Sequence, residues 1–202
     1  MKKEKYRIAS AVLVGGRSER MGSPKESVVI PDDGRTFLER ICDEVDITYP
    51  DPIAVRYISA RSGQDIKREG YTVVPDSFEG IGPAGGIASV LKRAEEDGVD
   101  AVLFLACDLI RYDHSEIIRI CGRYDGEDVL FARTDKENLQ PLASIYSVGS
   151  AEAVVSMIEK KDLKVRNLVN YVRCTGWYDA KDPLFYENKN EPFASTSSRR
   201  QL

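Results

Sequence analysis

Three short strings carry residue types suited to holding a phosphorylated ligand. The first is Leu13-Val14-Gly15-Gly16-Arg17-Ser18-Glu19-Arg20-Met21-Gly22-Ser23-Pro24-Lys25. Its glycines, Gly15 and Gly16, let the backbone come close to a phosphate and aim amides at it. Arg20 and Lys25 add positive charge suited to β- and γ-phosphates. The string lacks the Gly-Lys-Ser/Thr of a Walker A loop and the spacing of GxGxxG. On its glycines alone it reads equally as a turn before a solvated basic surface. The second string, Phe104-Leu105-Ala106-Cys107-Asp108, ends an apolar run in a carboxylate. Such a group is costly unless solvated, paired or bound to metal. Mg²⁺, which favours one or two carboxylates plus phosphate oxygens, would suit it; the alternative is an N-cap for the next helix. In the third, Val74 to Ile87, Gly80, Gly82, Pro83, Gly85 and Gly86 precede a helical pattern. That composition makes a tight loop at a helix N-terminus, either an anion or base-edge site or a plain turn.

The segments around these strings alternate between strand and helix, which predicts a mostly parallel sheet with crossover helices in one domain. Ile8 to Val14 is a continuous apolar run, as expected of a strand covered on both faces. Helical spacing of Phe37, Leu38, Ile41 and Val45 predicts a helix over 36–45. Strands are expected at 53–58 and 71–74, with a charged helical stretch near 64–69 between them. Next come a helix at 86–97 and the most hydrophobic strand at 101–106. Beyond Asp108 the pattern gives a helix at 115–123, strands at 129–132 and 143–148, and a helix at 150–160. A short helix at 165–169, a strand at 171–177 and an extended segment to Phe185 complete it. Asp108 and the glycine string would thus both lie at carboxyl ends of strands, where doubly wound sheets bind ligands.

With 42% hydrophobic and 31% charged residues, the 202-residue chain has the composition of an ordinary globular domain. No apolar stretch is long enough to span a membrane, and the charged start followed by a strand-length run does not read as a signal peptide. The net charge of −4, without a Lys/Arg stripe, argues against a nucleic-acid partner. Cys42, Cys107, Cys121 and Cys174 have no CxxC pairing, so buried reduced thiols in a cytoplasmic protein are expected. His114, the sole histidine, lies in a polar stretch and is read as exposed rather than catalytic; Trp177 and the tyrosines are read as packing residues. Residues 194–202, rich in Ser, Thr and Arg, are expected to be a disordered tail to a domain spanning 1–193.

Taken together, the three strings resemble the molybdenum cofactor guanylyltransferase family, within the wider nucleotidyltransferase superfamily. Gln140-Pro141-Leu142-Ala143-Ser144-Ile145-Tyr146 is similar to the family's Gln-Pro-Leu segment, Leu163 to Leu168 to its late basic helix, and Asn188-Lys189-Asn190-Glu191-Pro192 to its closing Asn-x-Asn-x-Pro. The resemblance implies a Rossmann-like, three-layer αβα nucleotidyltransferase fold. It implies transfer of GMP from Mg-GTP to the phosphate of a molybdopterin-type acceptor, with pyrophosphate released. Leu13, Val14, Gly15, Gly16 and Ser59 would line the nucleotide, and Lys25, helped by Arg20, would bind its phosphates. Asp76 with Gly82-Pro83 would contact the guanosine, and Asp108 would bind Mg²⁺ with Asn188 or Asn190 as second ligand. Cofactor-delivery proteins or further copies of the chain are the partners such an activity would admit. The chain departs from the pattern at Ile110, where the family often has Pro, and at Ser59-Ala60-Arg61, where an Asn usually follows the second strand. Alternatives that use the same loop are a cytidylyltransferase for the same cofactor, a guanylyltransferase for a cobamide precursor, or a non-catalytic nucleotide-binding protein; Gln140-Pro141-Leu142 and Gly82-Pro83 favour the molybdenum branch.

Overall fold

The computed structural model describes residues 6–14, 24–78, 80–189 and 193. Strands β1 (Ile8–Leu13), β2 (Ile53–Ala60), β3 (Thr72–Pro75), β4 (Ala101–Ala106), β5 (Val129–Arg133), β6 (Leu139–Ser147) and β7 (Thr175–Asp179) form one sheet in the order β3-β2-β1-β4-β6-β5-β7. β6 is antiparallel to its neighbours β4 and β5, and the remaining pairings are parallel. Helices α1 (Phe37–Ile47), α2 (Pro83–Glu96), α3 (His114–Arg123) and α4 (Ala151–Glu159) cover its faces. The expected αβα sandwich with a mostly parallel sheet is what the chain forms.

The two faces follow from the pleat, which sends alternate side chains to opposite sides. In β1, Ile8 and Val12 join a core with Ile41 and Val45 of α1 and Ile117 and Ile120 of α3. Ala9, Ala11 and Leu13 join a second core with Ile87, Val90 and Leu91 of α2. β4 divides likewise, Leu103 and Leu105 to the first core and Val102 and Phe104 to the second. Both strands are buried throughout, which is why their sequences are unbroken apolar runs. Helix α1 starts where its capping box sets it. Thr36 Oγ1 accepts from the Glu39 N–H at 3.2 Å, and Glu39 Oε2 accepts from the Thr36 N–H at 2.7 Å.

Strand order fixes where a ligand can enter. From β1 the chain winds outward through β2 to β3, then returns to place β4 on the other side of β1. The β1/β4 junction is therefore a topological switch point, and its carboxyl edge opens a crevice.

Several expected elements differ. The stretch 64–69 is not helical. It is bounded by Gly63 and Gly70, both at positive φ, which leaves too few residues for a helix to repay its nucleation. Tertiary bonds hold it instead: Arg68 pairs with Asp43 and Asp46 of α1, each at 2.7 Å, and Tyr71 donates to Asp46 at 2.9 Å. β7 begins at Thr175 rather than at Tyr171, because a 3-10 turn occupies Val165–Asn170. The Asp128 carboxylate then sets the strand's entry by accepting from the N–H groups of Arg173 and Cys174. The segment expected to be extended to Phe185 contains a 3-10 turn, Pro183–Tyr186, capped by Asp182. β6 reaches back to Leu139 and includes Pro141, tolerated where the register with β5 shifts; there the Ser144 hydroxyl accepts from the Ala132 N–H. Three cysteines are buried thiols as expected, but Cys174, at the mouth of the edge strand, is exposed. The tail expected at 194–202 lies outside the described residues.

Candidate active site

At the β1/β4 crevice the two strands are stitched beyond their last rung, the Cys107 N–H donating to the Leu13 carbonyl at 3.2 Å. On the other side, the Val14 N–H donates to the Ser59 carbonyl at 3.1 Å. Leu13, Val14 and Ser59 are buried and floor the crevice where β1 and β2 end.

Asp108 follows directly. Its side chain is 8% exposed, and Oδ2 lies 2.6 Å from Lys25 Nζ, whose side chain is 24% exposed. This bond joins two residues 83 positions apart in the chain. Asp108 caps no helix: α3 begins six residues later, capped by the Asp113 carboxylate, which accepts from the Glu116 N–H. The capping alternative is therefore removed, and the buried carboxylate is compensated by an ammonium that can also meet a ligand. Burial, then the nearby carboxylates of Asp108 and Glu26, push the Cys107 thiol well above its ordinary range, so it is no nucleophile here.

The late Asn motif arrives at the same place. The Lys189 N–H donates to the Asp108 carbonyl at 3.0 Å, which brings exposed Asn188 alongside. Tyr186 anchors this segment by donating to Glu116 Oε1 at 2.8 Å, and burial first, with Tyr112 and Glu116, raises its phenol. Glu116, fully buried on α3, also accepts from Tyr178 at 3.0 Å and pairs with Arg119 at 2.7 Å.

The third string forms the far wall. Gly82 caps α2 at φ 73° and ψ −155°, a conformation essentially confined to glycine, and Pro83 supplies the first helical residue with no N–H to satisfy. The next two glycines allow close approach. A Cβ on Gly86 would lie 2.5 Å from Ser59 Oγ, and one on Gly85 would lie 2.7 Å from Asp76 Oδ1. The N-terminus of α2, the positive end of its dipole, thus sits against the ends of β2 and β3. Asp76 is fixed by its N–H to the Ala60 carbonyl at 2.8 Å and by accepting the Phe78 N–H at 2.8 Å. On the opposite flank Ala143 pairs with Leu105, so Gln140, Pro141 and Leu142 run toward the carboxyl edge beside β4.

The structure therefore gathers Leu13, Val14, Lys25, Ser59 and Asp108 at one edge, with Asp76, Gly82 and Pro83 forming one wall and Asn188 beside Asp108. Gly15, Gly16, Arg20 and Asn190, named from the sequence, lie outside the described residues. His114, the first residue of α3, pairs with α1 instead, its Nδ1 2.8 Å from Glu44 Oε2. Two polar residues went unnoticed in the sequence: buried Glu26, next to Lys25, and Gln64, which donates to it. Adjacency to Lys25 was the one available signal for Glu26; Gln64 lay in the stretch misread as helix.

A doubly wound sheet whose switch-point crevice carries a lysine, a buried aspartate and a glycine-capped helix start defines a nucleotide-handling transferase. The chain belongs to the MobA-like NTP transferase domain family, which residues 10–174 match, and is a nucleotidyltransferase, a class that works with a divalent metal ion. It is 30% identical over 158 residues to the "probable molybdenum cofactor guanylyltransferase" of Rhodopirellula baltica, covering 76% of this chain and 74% of that one. It is 28% identical over 155 residues to the molybdenum cofactor guanylyltransferase of Sinorhizobium fredii, covering 75% and 69%. The fold is shared with the crystal structure of molybdopterin-guanine dinucleotide biosynthesis protein A from Archaeoglobus fulgidus, at a TM-score of 0.70 and 20% identity over 91% of this chain and 92% of that one. No helix among the described residues is long and apolar enough to cross a membrane.

Proposed function

We propose that this enzyme transfers GMP from Mg-GTP to the phosphate of a molybdopterin-type acceptor and releases pyrophosphate. The observation that carries the reading is the Lys25–Asp108 pair, a 2.6 Å contact in the switch-point crevice by a carboxylate that caps nothing. The acceptor's phosphate is already anionic at neutral pH, so attack on the α-phosphorus requires no strong general base. The protein's task is then positioning and charge stabilisation. Lys25, with Arg20, binds the β- and γ-phosphates and stabilises the charge that gathers on the departing pyrophosphate. Leu13, Val14, Gly15, Gly16 and Ser59 form the floor and loop against which the nucleotide lies. Asp76 is acceptor-only when ionised, which matches the N1–H and N2–H donors of guanine and opposes the N3 acceptor of cytosine. Gly82 and Pro83 keep the wall beside that edge free of side-chain bulk.

The residues at Asp108 suit Mg²⁺. No cluster of three His, Cys, Asp or Glu occurs among the described residues, whereas one buried carboxylate, with the Asn188 segment bonded to its own backbone carbonyl through Lys189, suits a cation that keeps phosphate oxygens and waters as its other ligands. Asp108 would hold it with Asn188 or Asn190, and when bound it neutralises triphosphate charge. The transferase domain is taken to extend over 1–193, with 194–202 a tail; Phe193 supports that limit by packing edge-on against Phe37 of α1, centroids 6.1 Å apart. A reducing, cytoplasmic setting belongs to the same proposal, supported by four free thiols.

The test is a melting-temperature series with GTP, CTP, ATP and UTP, each with Mg²⁺. A ligand that binds only the folded state at a hundredfold excess over Kd adds about 2.7 kcal/mol of stability. GTP is expected to give the largest rise. A larger rise with CTP refutes the guanine assignment and leaves the transferase class intact.

A further inference from the structure

The Lys25 turn is held by a side chain from the β2–β3 connection. Lys25–Ser27 is a single 3-10 turn tied to the start of α1 through the Phe37 N–H, which donates to the Val28 carbonyl at 2.9 Å. On its other side Glu26 turns inward and is buried, accepting at Oε1 from Gln64 Nε2. The carboxamide oxygen of Gln64 accepts from the Arg61 N–H at 3.2 Å, and the Gln64 N–H donates to the Arg61 carbonyl at 3.1 Å. One amide group thus spans from the end of β2 to the residue next to Lys25. Its orientation is dictated by its partners, since a backbone N–H only donates and an ionised carboxylate only accepts. The connection carrying Gln64 is itself clamped to α1 by Arg68, through Asp43 and Asp46.

We propose that Gln64 is a positioning residue: its amide bridges Arg61 and Glu26 and so sets where the Lys25 ammonium meets the triphosphate. This rests on the phosphate-binding role given to Lys25 above. Glutamine is the side chain that fits, because it offers an acceptor to Arg61 and a donor to Glu26. A glutamate at 64 would face Glu26 with like charge, and an alanine would leave the buried Glu26 carboxylate without its donor. An exchange of the two side chains preserves both bonds: Glu at 64 accepts from the Arg61 N–H and from the amide of Gln at 26.

The test measures Mg-GTP and GMP affinities by calorimetry for wild type, Gln64→Ala, Gln64→Glu and the exchange Glu26→Gln/Gln64→Glu, with the melting temperature of each. Gln64→Ala is expected to weaken Mg-GTP roughly tenfold, the lower range for loss of a supporting partner, and to leave GMP, which has no β- or γ-phosphate, unaffected. Gln64→Glu is expected to lose at least as much, and the exchange to recover most of it. A folded Gln64→Ala variant with wild-type GTP affinity overturns the proposal. So does equal weakening of GTP and GMP, or a folded exchange variant that recovers nothing. The wild-type control tests the underlying function separately. Preference for CTP removes the guanine assignment while the same comparison with CTP and CMP decides the role of Gln64. A wild-type protein that binds no triphosphate overturns both.

Discussion

Replacing Asp108 by Asn removes a charge without changing shape, and the structure sets opposing expectations for folding and for turnover. The carboxylate is 8% exposed and bonded to Lys25 at 2.6 Å. An asparagine oxygen can still accept from Lys25, so what disappears is the charge assistance, about 1 kcal/mol on the usual difference between hydrogen bonds to charged and neutral groups. Relief of the carboxylate's desolvation opposes that loss, and Lys25, 24% exposed, retains access to water. The net fall is therefore about 0–1 kcal/mol, a drop of no more than about 4 °C in melting temperature for a chain of this size. Turnover should respond far more. Losing one preorganised electrostatic partner costs about 3–4 kcal/mol of transition-state stabilisation, roughly 10²- to 10³-fold in rate.

The assay is pyrophosphate release at saturating GTP and acceptor across a Mg²⁺ series, with melting temperature measured on the same preparation. Asp113→Asn is the matched control, because Asp113 does cap α3 and asparagine caps about as well as aspartate; its rate and stability should both stay near wild type. If folded Asp108→Asn releases pyrophosphate at the wild-type rate, the cation is held elsewhere and the role given to Asp108 is wrong.

Lys25→Ala should weaken GTP about 10- to 100-fold, the worth of a charge-assisted contact of about 1.5–3 kcal/mol, and GMP little; equal losses in calorimetry would place Lys25 away from the β- and γ-phosphates. Gly86→Ala puts a methyl group 2.5 Å from Ser59 Oγ, so either Ser59 rotates or α2 withdraws. Overpacking of this kind costs about 1–3 kcal/mol, and denaturant unfolding should show that loss together with weaker nucleotide binding. Unchanged stability and affinity would mean that the wall is soft.

What the sequence disclosed depended on how local the deciding physics was. Strands β1 and β4 were readable because two-sided burial writes an unbroken apolar run, and α1 because its buried stripe lies within one short segment. Asp108 and Gly82-Pro83 were readable as candidates because a strand end and a helix start place them, whereas Lys25 was read from its charge within the glycine string and Asp76 from the family resemblance. The connection at 64–69 was not, since its fate is decided by Asp43 and Asp46, some twenty residues away. Gln64 and Glu116 escaped for the same reason. Each is a polar residue whose role rests on partners from other elements, Glu26 and Arg61 for one, Tyr178 and Tyr186 for the other.

The Lys25–Asp108 pair also accounts for how two opposite charges are accommodated at the end of β4. An unpaired carboxylate at 8% exposure would be destabilising, and an unpaired lysine beside the end of β1 would add repulsion from any neighbouring cation. Paired, each neutralises the other. On the roles proposed for Lys25 and Asp108, a triphosphate would offer oxygens to the ammonium and a cation would face the carboxylate, so that both charges would again be compensated. The exchange is inexpensive because Lys25 retains solvent access and a flexible stem, while the Asp108 backbone is fixed from both sides, by the strand before it and by the Lys189 N–H on its carbonyl. A fixed anion and a movable cation would suit the nucleotidyl transfer proposed above, with Asp108 marking one place while Lys25 follows the departing phosphates.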